Sequence, residues 1–131
     1  MRMGKVLIGI LALFGLSACE LQDTAAQQKT VTPREVYEQR TNKDVVIIDV
    51  RTPEEFQMER IREARNQPLQ TIQNWVNTLP KDKKIYFVCR SGNRSAQAQR
   101  IAQQAGYENT YNMQGGMLAW KRESLPVVSG K

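Results

Sequence analysis

Ile85-Tyr86-Phe87-Val88-Cys89-Arg90-Ser91-Gly92-Asn93-Arg94-Ser95 is the stretch from which the fold can be read. Its apolar run, Ile85 to Val88, predicts a short strand buried on both faces. The Ala/Gln-rich residues after it predict a helix running to Ala105, with Ser95 as its cap and Gly106 as its stop. A cysteine at the tip of a buried strand, on a loop that opens into a helix N-terminus, is placed to ionise. Backbone N–H groups of the loop can converge on the sulfur, and Arg90 and Arg94 add positive charge. The same loop suits a small anion. Gly92 allows the tight turn that points the N–H groups inward.

Working outward, the chain alternates short apolar runs with helical patterns. Thr32-Pro33-Arg34-Glu35 and Thr52-Pro53-Glu54-Glu55 are both capping boxes with Pro at the first helical position. Each predicts a short helix, the first ending near Arg40. Val45-Val46-Ile47-Ile48 predicts a second buried strand, and Arg65–Pro68 and Asn109–Asn112 predict brief ones. Ile72, Trp75, Val76 and Leu79 sit at helical spacing and predict a helix over Thr71–Leu79. Gly115-Gly116 precedes a last helix through Trp120, and Pro126 marks its exit. Short strands alternating with helices imply an α/β fold with a parallel sheet covered on both faces. Ligands in such sheets bind beyond the carboxyl ends of the strands, where Cys89 is placed. Trp75 and Trp120 are read as core, and Asp49 with Arg51 as a structural ion pair.

The N-terminus follows different rules. Met1 to Lys5 is basic, and Val6 to Leu16 is an uncharged apolar core of 11 residues, too short for a spanning helix. Residues 1–18 are therefore read as a secretory signal peptide. Leu16-Ser17-Ala18-Cys19 resembles a bacterial lipobox, which implies lipid on Cys19 as the new N-terminus. Several acyl chains would hold the protein stably on a membrane. By analogy with enterobacterial lipoproteins, Glu20 in place of Asp implies the outer membrane, facing the periplasm. Residues 19–30 are polar and read as the lipidated N-terminus and a flexible tether, leaving one domain over 31–128. With Cys19 acylated, Cys89 is the one free thiol of the mature chain, and no internal disulfide is possible.

Composition removes whole classes of chemistry. The 131 residues include no histidine, so Ser-His-Asp and Cys-His nucleophile systems are impossible within the chain. A Cys/His zinc site is excluded with them, and neither a P-loop nor a Gly-x-Gly-x-x-Gly run is present. The reading therefore includes no metal and no cofactor. The formal charge of +6 falls by two when Arg2 and Lys5 leave with the signal peptide. That excess is spread along the chain, so nucleic acid is not an expected partner. A cysteine activated by dipoles and arginine alone must attack something that needs little proton transfer. A sulfane sulfur donor such as thiosulfate meets that requirement, because its leaving group, sulfite, departs without a strong acid.

Three segments carry a family resemblance: Val46-Ile47-Ile48-Asp49-Val50-Arg51-Thr52-Pro53-Glu54-Glu55-Phe56, Cys89 to Ser95, and Gly115-Gly116-Met117-Leu118-Ala119-Trp120 with Leu125-Pro126-Val127. In this order they resemble the rhodanese family. The resemblance implies a rhodanese-like three-layer sandwich, a five-stranded parallel sheet with helices on both faces. It also implies thiosulfate sulfurtransferase activity. Cys89 becomes the persulfide-forming residue, and Arg90, Ser91, Gly92, Asn93, Arg94 and Ser95 the loop that binds the donor. The expected small partners are an anionic sulfur donor and a thiophilic acceptor, cyanide or a thiol. The chain departs from the family pattern over Glu59–Pro68, which lacks the usual His and both Gly. That departure bears on acceptor specificity more than on the core reaction.

Two alternatives belong to other classes. A cysteine-based phosphatase or arsenate reductase also sets a thiolate in an anion loop. Here only four residues separate Cys89 from Arg94, one short of the phosphatase loop, and Ser95 stands at the phosphatase Arg position. A non-catalytic rhodanese-like binding module is the other; such modules often lack the cysteine that this chain keeps.

Overall fold

The computed structural model describes residues 28–130. The signal peptide, Cys19 and most of the tether lie outside the described residues. In chain order the elements are β1 (Thr30–Val31), α1 (Pro33–Gln39), β2 (Val45–Asp49), α2 (Pro53–Met58), β3 (Arg65–Asn66), α3 (Ile72–Trp75), β4 (Lys84–Val88), α4 (Asn93–Gln104), β5 (Thr110–Met113) and α5 (Gly116–Arg122). The five strands form one sheet in the order β1-β5-β4-β2-β3, and every pairing is parallel. This is the architecture the resemblance implied.

Both capping boxes form as read. In each, the Thr hydroxyl accepts from the backbone N–H of the Glu three residues on, and that Glu accepts from the Thr backbone N–H. Two donors at each helix start are thereby satisfied, typically about 1 kcal/mol for such a cap. Alternate residues of the central strands feed two separate cores. Val46, Ile48, Ile85 and Phe87 face a cluster with Ile72, Trp75, Ala98 and Ala102. Ile47, Tyr86 and Val88 face another with Val36, Met117 and Trp120. The period of two along β2 and β4 thus loads both faces of the sheet, which is why these strands are apolar throughout. Phe87 and Trp120 are fully buried, and each such side chain contributes roughly 1.5–3 kcal/mol of transfer free energy.

The structure differs from the sequence expectation in four places. Thr30, assigned to the tether, belongs to β1 and pairs with Asn112; Val31 pairs with Met113. Two residues are too few for a periodic signal, so only the β5 edge reveals this strand. The domain also reaches past both expected limits. Asn112 N–H donates to Lys29 O at 3.0 Å, and Gly130 N–H donates to Gln57 O at 2.8 Å. The helix expected over Thr71–Leu79 is instead α3 between two 3-10 turns, Leu69–Thr71 and Val76–Thr78. The Thr78 hydroxyl takes the Trp75 carbonyl at 2.7 Å and competes with continued helical bonding. Finally, α4 starts at Asn93 with Gly92 as its N-cap, so Ser95 is not a cap. Gly92 adopts φ +109°, a left-handed conformation open to glycine, and this starts the helix three residues earlier than a Ser95 cap would.

Candidate active site

Cys89 follows directly on β4, at the carboxyl end of the sheet, with 1% of its surface exposed. The Gly92 N–H points at its Sγ at 3.0 Å, and the Ser95 hydroxyl lies 3.3 Å from the same atom. Burial pushes the thiol up. The Ser95 hydroxyl and the backbone N–H groups of Ser95, Gly92 and Ser91 outweigh it, and the net direction is down from the ordinary thiol value. The loop residues Ser91 and Gly92 and the first turn of α4 together therefore lower the pKa of the Cys89 thiol, the direction expected for a cysteine near a helix N-terminus.

Ser95 is held by a residue the sequence did not single out. Its hydroxyl lies 2.5 Å from Asn112 Oδ1, while Asn112 Nδ2 donates to Gly92 O at 3.1 Å. The second bond fixes which way the amide points. Ser95 carries one hydroxyl proton and so serves one acceptor at a time. Ionising Cys89 makes the sulfur the stronger acceptor. Asn112 is on β5, and only the β4–β5 pairing brings it to the loop. Ser95→Ala removes a donor to the thiolate and leaves the backbone donors in place. The midpoint of iodoacetamide alkylation against pH should then move upward. Below that midpoint the rate should fall about tenfold, the scale of one hydrogen bond to a charged group. An unchanged midpoint would sink the assignment.

The two arginines separate. Arg94 makes a double contact with Glu55 of α2, Nη1 to Oε1 at 2.7 Å and Nη2 to Oε2 at 3.0 Å. The Arg94 guanidinium, the largest influence, holds the Glu55 carboxyl down at about 2 against burial. Glu55 thus has two tasks, closing the Thr52 capping box and fixing Arg94. Only the first was visible in the sequence. Arg90 is exposed, and among the described residues its side chain has no ion-pair or hydrogen-bond partner. Ser91 and Asn93 are exposed on the loop's outer side.

Two further supports hold the loop. Met117 N–H donates to Cys89 O at 2.8 Å and Leu118 N–H to Arg90 O at 3.1 Å, so the start of α5 grips the loop backbone. Gly116 makes this approach possible. Its missing Cβ would stand 2.4 Å from Arg90 C and O. Beneath the loop, Arg51 and Asp49 form the buried ion pair expected from the sequence, with Arg51 Nη2 also donating to Glu59 O at 2.7 Å. Among the described residues no group of three or more His, Cys, Asp or Glu is placed to hold a metal ion.

Fold and site together define an α/β domain presenting Cys89, the one cysteine among the described residues, at the end of a parallel strand, in a loop whose N–H donors lower the pKa of its thiol. The chain belongs to the rhodanese-like domain family, whose pattern matches residues 32–123. It is 40% identical over 86 residues to a sulfurtransferase of Allochromatium vinosum, covering 66% of this chain and 80% of that one. A thiosulfate sulfurtransferase of Glaesserella parasuis is 25% identical over 100 residues, covering 76% and 93%. The crystal structure of a rhodanese-related protein from Thermoplasma volcanium superposes with a TM-score of 0.70 at 32% identity, covering 76% of this chain and 97% of that one. Against three other curated relatives the match spans only part of their length, 57% of one and 27% of two.

Proposed function

We propose that this protein is a thiosulfate sulfurtransferase that carries sulfane sulfur as a persulfide on Cys89. The observation that supports this best is the sulfur's setting. Gly92 N–H and Ser95 O–H both reach Sγ, in a chain with no histidine to act as base. In the first half-reaction the Cys89 thiolate attacks the outer sulfur of thiosulfate. The S–S bond of thiosulfate breaks, and sulfite leaves with the bonding electron pair. No proton moves, so no general base is required. Arg90 attracts the sulfonate, and the loop N–H groups stabilise the persulfide anion. In the second half-reaction a thiophilic acceptor, cyanide or a thiol, takes the outer sulfur and restores the thiolate. The two halves predict ping-pong kinetics.

Incubation with thiosulfate should add about 32 Da to Cys89, one sulfur atom, and cyanide should remove it with release of thiocyanate. Aryl phosphate hydrolysis should be absent. Phosphate release without the sulfur adduct would favour the phosphatase alternative, and neither activity would favour a binding module. The domain is held in the bacterial envelope by lipid on Cys19, a reading supported by the run Leu16-Ser17-Ala18-Cys19. Cys19→Ser should shift the protein from the membrane pellet to the soluble fraction. Retention in the pellet would overturn the lipid anchor.

A further inference from the structure

Beside the Cys89 loop runs an open cleft of about 380 Å³, whose lining includes Glu55 and Met58 of α2, Glu59 just after it, Leu118 and Lys121 of α5, and Arg90. It is far larger than cyanide or thiosulfate needs. Among the described residues three large hydrophobic side chains are exposed, and two of them, Met58 at 75% and Leu118 at 37%, stand on this cleft. Met58 is on α2 and Leu118 on α5.

The charges lining the cleft are largely used up. Glu55 holds Arg94, Glu59 holds Lys121 across the cleft, and Arg51 is bound to Asp49. Among the described residues, what remains is the guanidinium of Arg90, without an ion-pair or hydrogen-bond partner and next in sequence to Cys89. Two exposed apolar side chains beside the one cation of the cleft that is unpaired among the described residues complement a chain segment that is apolar and acidic.

We propose that this cleft docks the sulfur acceptor as a peptide segment of a thiol protein. Its apolar side chain lies between Met58 and Leu118, its acidic group meets Arg90, and its cysteine reaches the loop. This deepens the sulfurtransferase reading above and rests on it. In the transfer the acceptor sulfur bonds to the outer sulfur of the Cys89 persulfide. The Cys89 S–S bond breaks, and its electron pair stays on Cys89 as the thiolate. The acceptor thiol's proton remains with the new persulfide, so no oxidant or reductant is consumed.

The test uses the full-length chain and three synthetic acceptors, Asp-Leu-Cys, Lys-Leu-Cys and Gly-Gly-Cys, with cyanide alongside. Asp-Leu-Cys should exceed Gly-Gly-Cys in kcat/KM by roughly tenfold, the scale of one partly buried apolar side chain, with Lys-Leu-Cys lower than Asp-Leu-Cys. The Met58→Gln/Leu118→Asn double variant keeps side-chain length and removes the apolar surface. It should erase the preference for Asp-Leu-Cys over Gly-Gly-Cys while cyanide turnover changes less than about twofold. Equal rates for all three peptides would overturn the proposal, as would an equal loss on cyanide and peptides in the variant. If the unsubstituted protein shows no cyanide turnover, the sulfurtransferase reading fails instead. Binding of fluorescent Asp-Leu-Ser and Gly-Gly-Ser peptides then still reads the cleft: tighter Asp-Leu-Ser supports docking, and no difference overturns it.

Discussion

Cys89→Ser is expected to lower sulfur transfer from thiosulfate to cyanide by at least about a thousandfold, some 4 kcal/mol of transition-state stabilisation. The replacement is nearly isosteric, and the Gly92 N–H and Ser95 hydroxyl stay within reach of the new oxygen. What changes is acidity. A serine hydroxyl ionises far above a thiol, and no histidine in the chain can take its proton. An oxygen nucleophile also cannot form the S–S bond that stores the transferred sulfur. Lipid on Cys19 would leave no second thiol to substitute. The +32 Da adduct should vanish together with turnover, and the urea unfolding midpoint should stay close to that of the parent. A variant that kept a tenth of the activity would show that sulfur moves without Cys89.

Gly116→Ala should be the most damaging change outside the loop itself. The residue adopts φ +59°, and an added Cβ would meet Arg90 C and O at 2.4 Å and Cys89 O at 2.5 Å. These are backbone atoms, so no side-chain rotation relieves the clash. If α5 retreats, it lengthens the Met117 N–H bond to Cys89 O and the Leu118 N–H bond to Arg90 O. If the loop retreats instead, the Gly92 N–H moves off Sγ. The expected cost is about 2–4 kcal/mol of stability, combining a left-handed non-glycine backbone with overpacking. Turnover in the fraction that remains folded should fall on the order of a hundredfold, the effect of displacing a catalytic group by about 1 Å. Urea unfolding and the alkylation pH profile measure the two separately. A loss of stability with an unchanged alkylation midpoint would show that Gly116 supports α5 but not the thiolate.

Local patterns explain why much of the fold was legible. Val45–Ile48 and Ile85–Val88 are apolar throughout because both faces of the central sheet are covered. The capping boxes at Thr32 and Thr52 involve residues three apart, so the motif contains all of its own partners. Ser95 shows the limit. Ser is a good cap in isolation, and the composition around it reads as a helix start. The left-handed turn at Gly92 begins α4 at Asn93, and Ser95 then falls in the first turn, facing Sγ instead of capping. β1 leaves no mark in the sequence because two residues carry no periodicity. It exists through its pairing with β5, some eighty residues away.

By itself the sequence determined the strand-loop-helix unit, the place of Cys89 at its turn and the absence of any histidine to serve it as a base. Each of these depends on residue type and on neighbours a few positions apart. Only the tertiary structure decided how the surrounding charges and donors are shared. Arg94 and Glu55 are 39 positions apart, and Ser95 and Asn112 are 17 apart. Arg90 and Arg94 look equivalent in the sequence. Packing α2 against the loop gives Arg94 a carboxylate, while Arg90 remains exposed beside the cleft. The physical reason is that an ion pair or hydrogen bond acts over a few ångströms. The folded sheet, and not the order of residues, sets which groups come within that range.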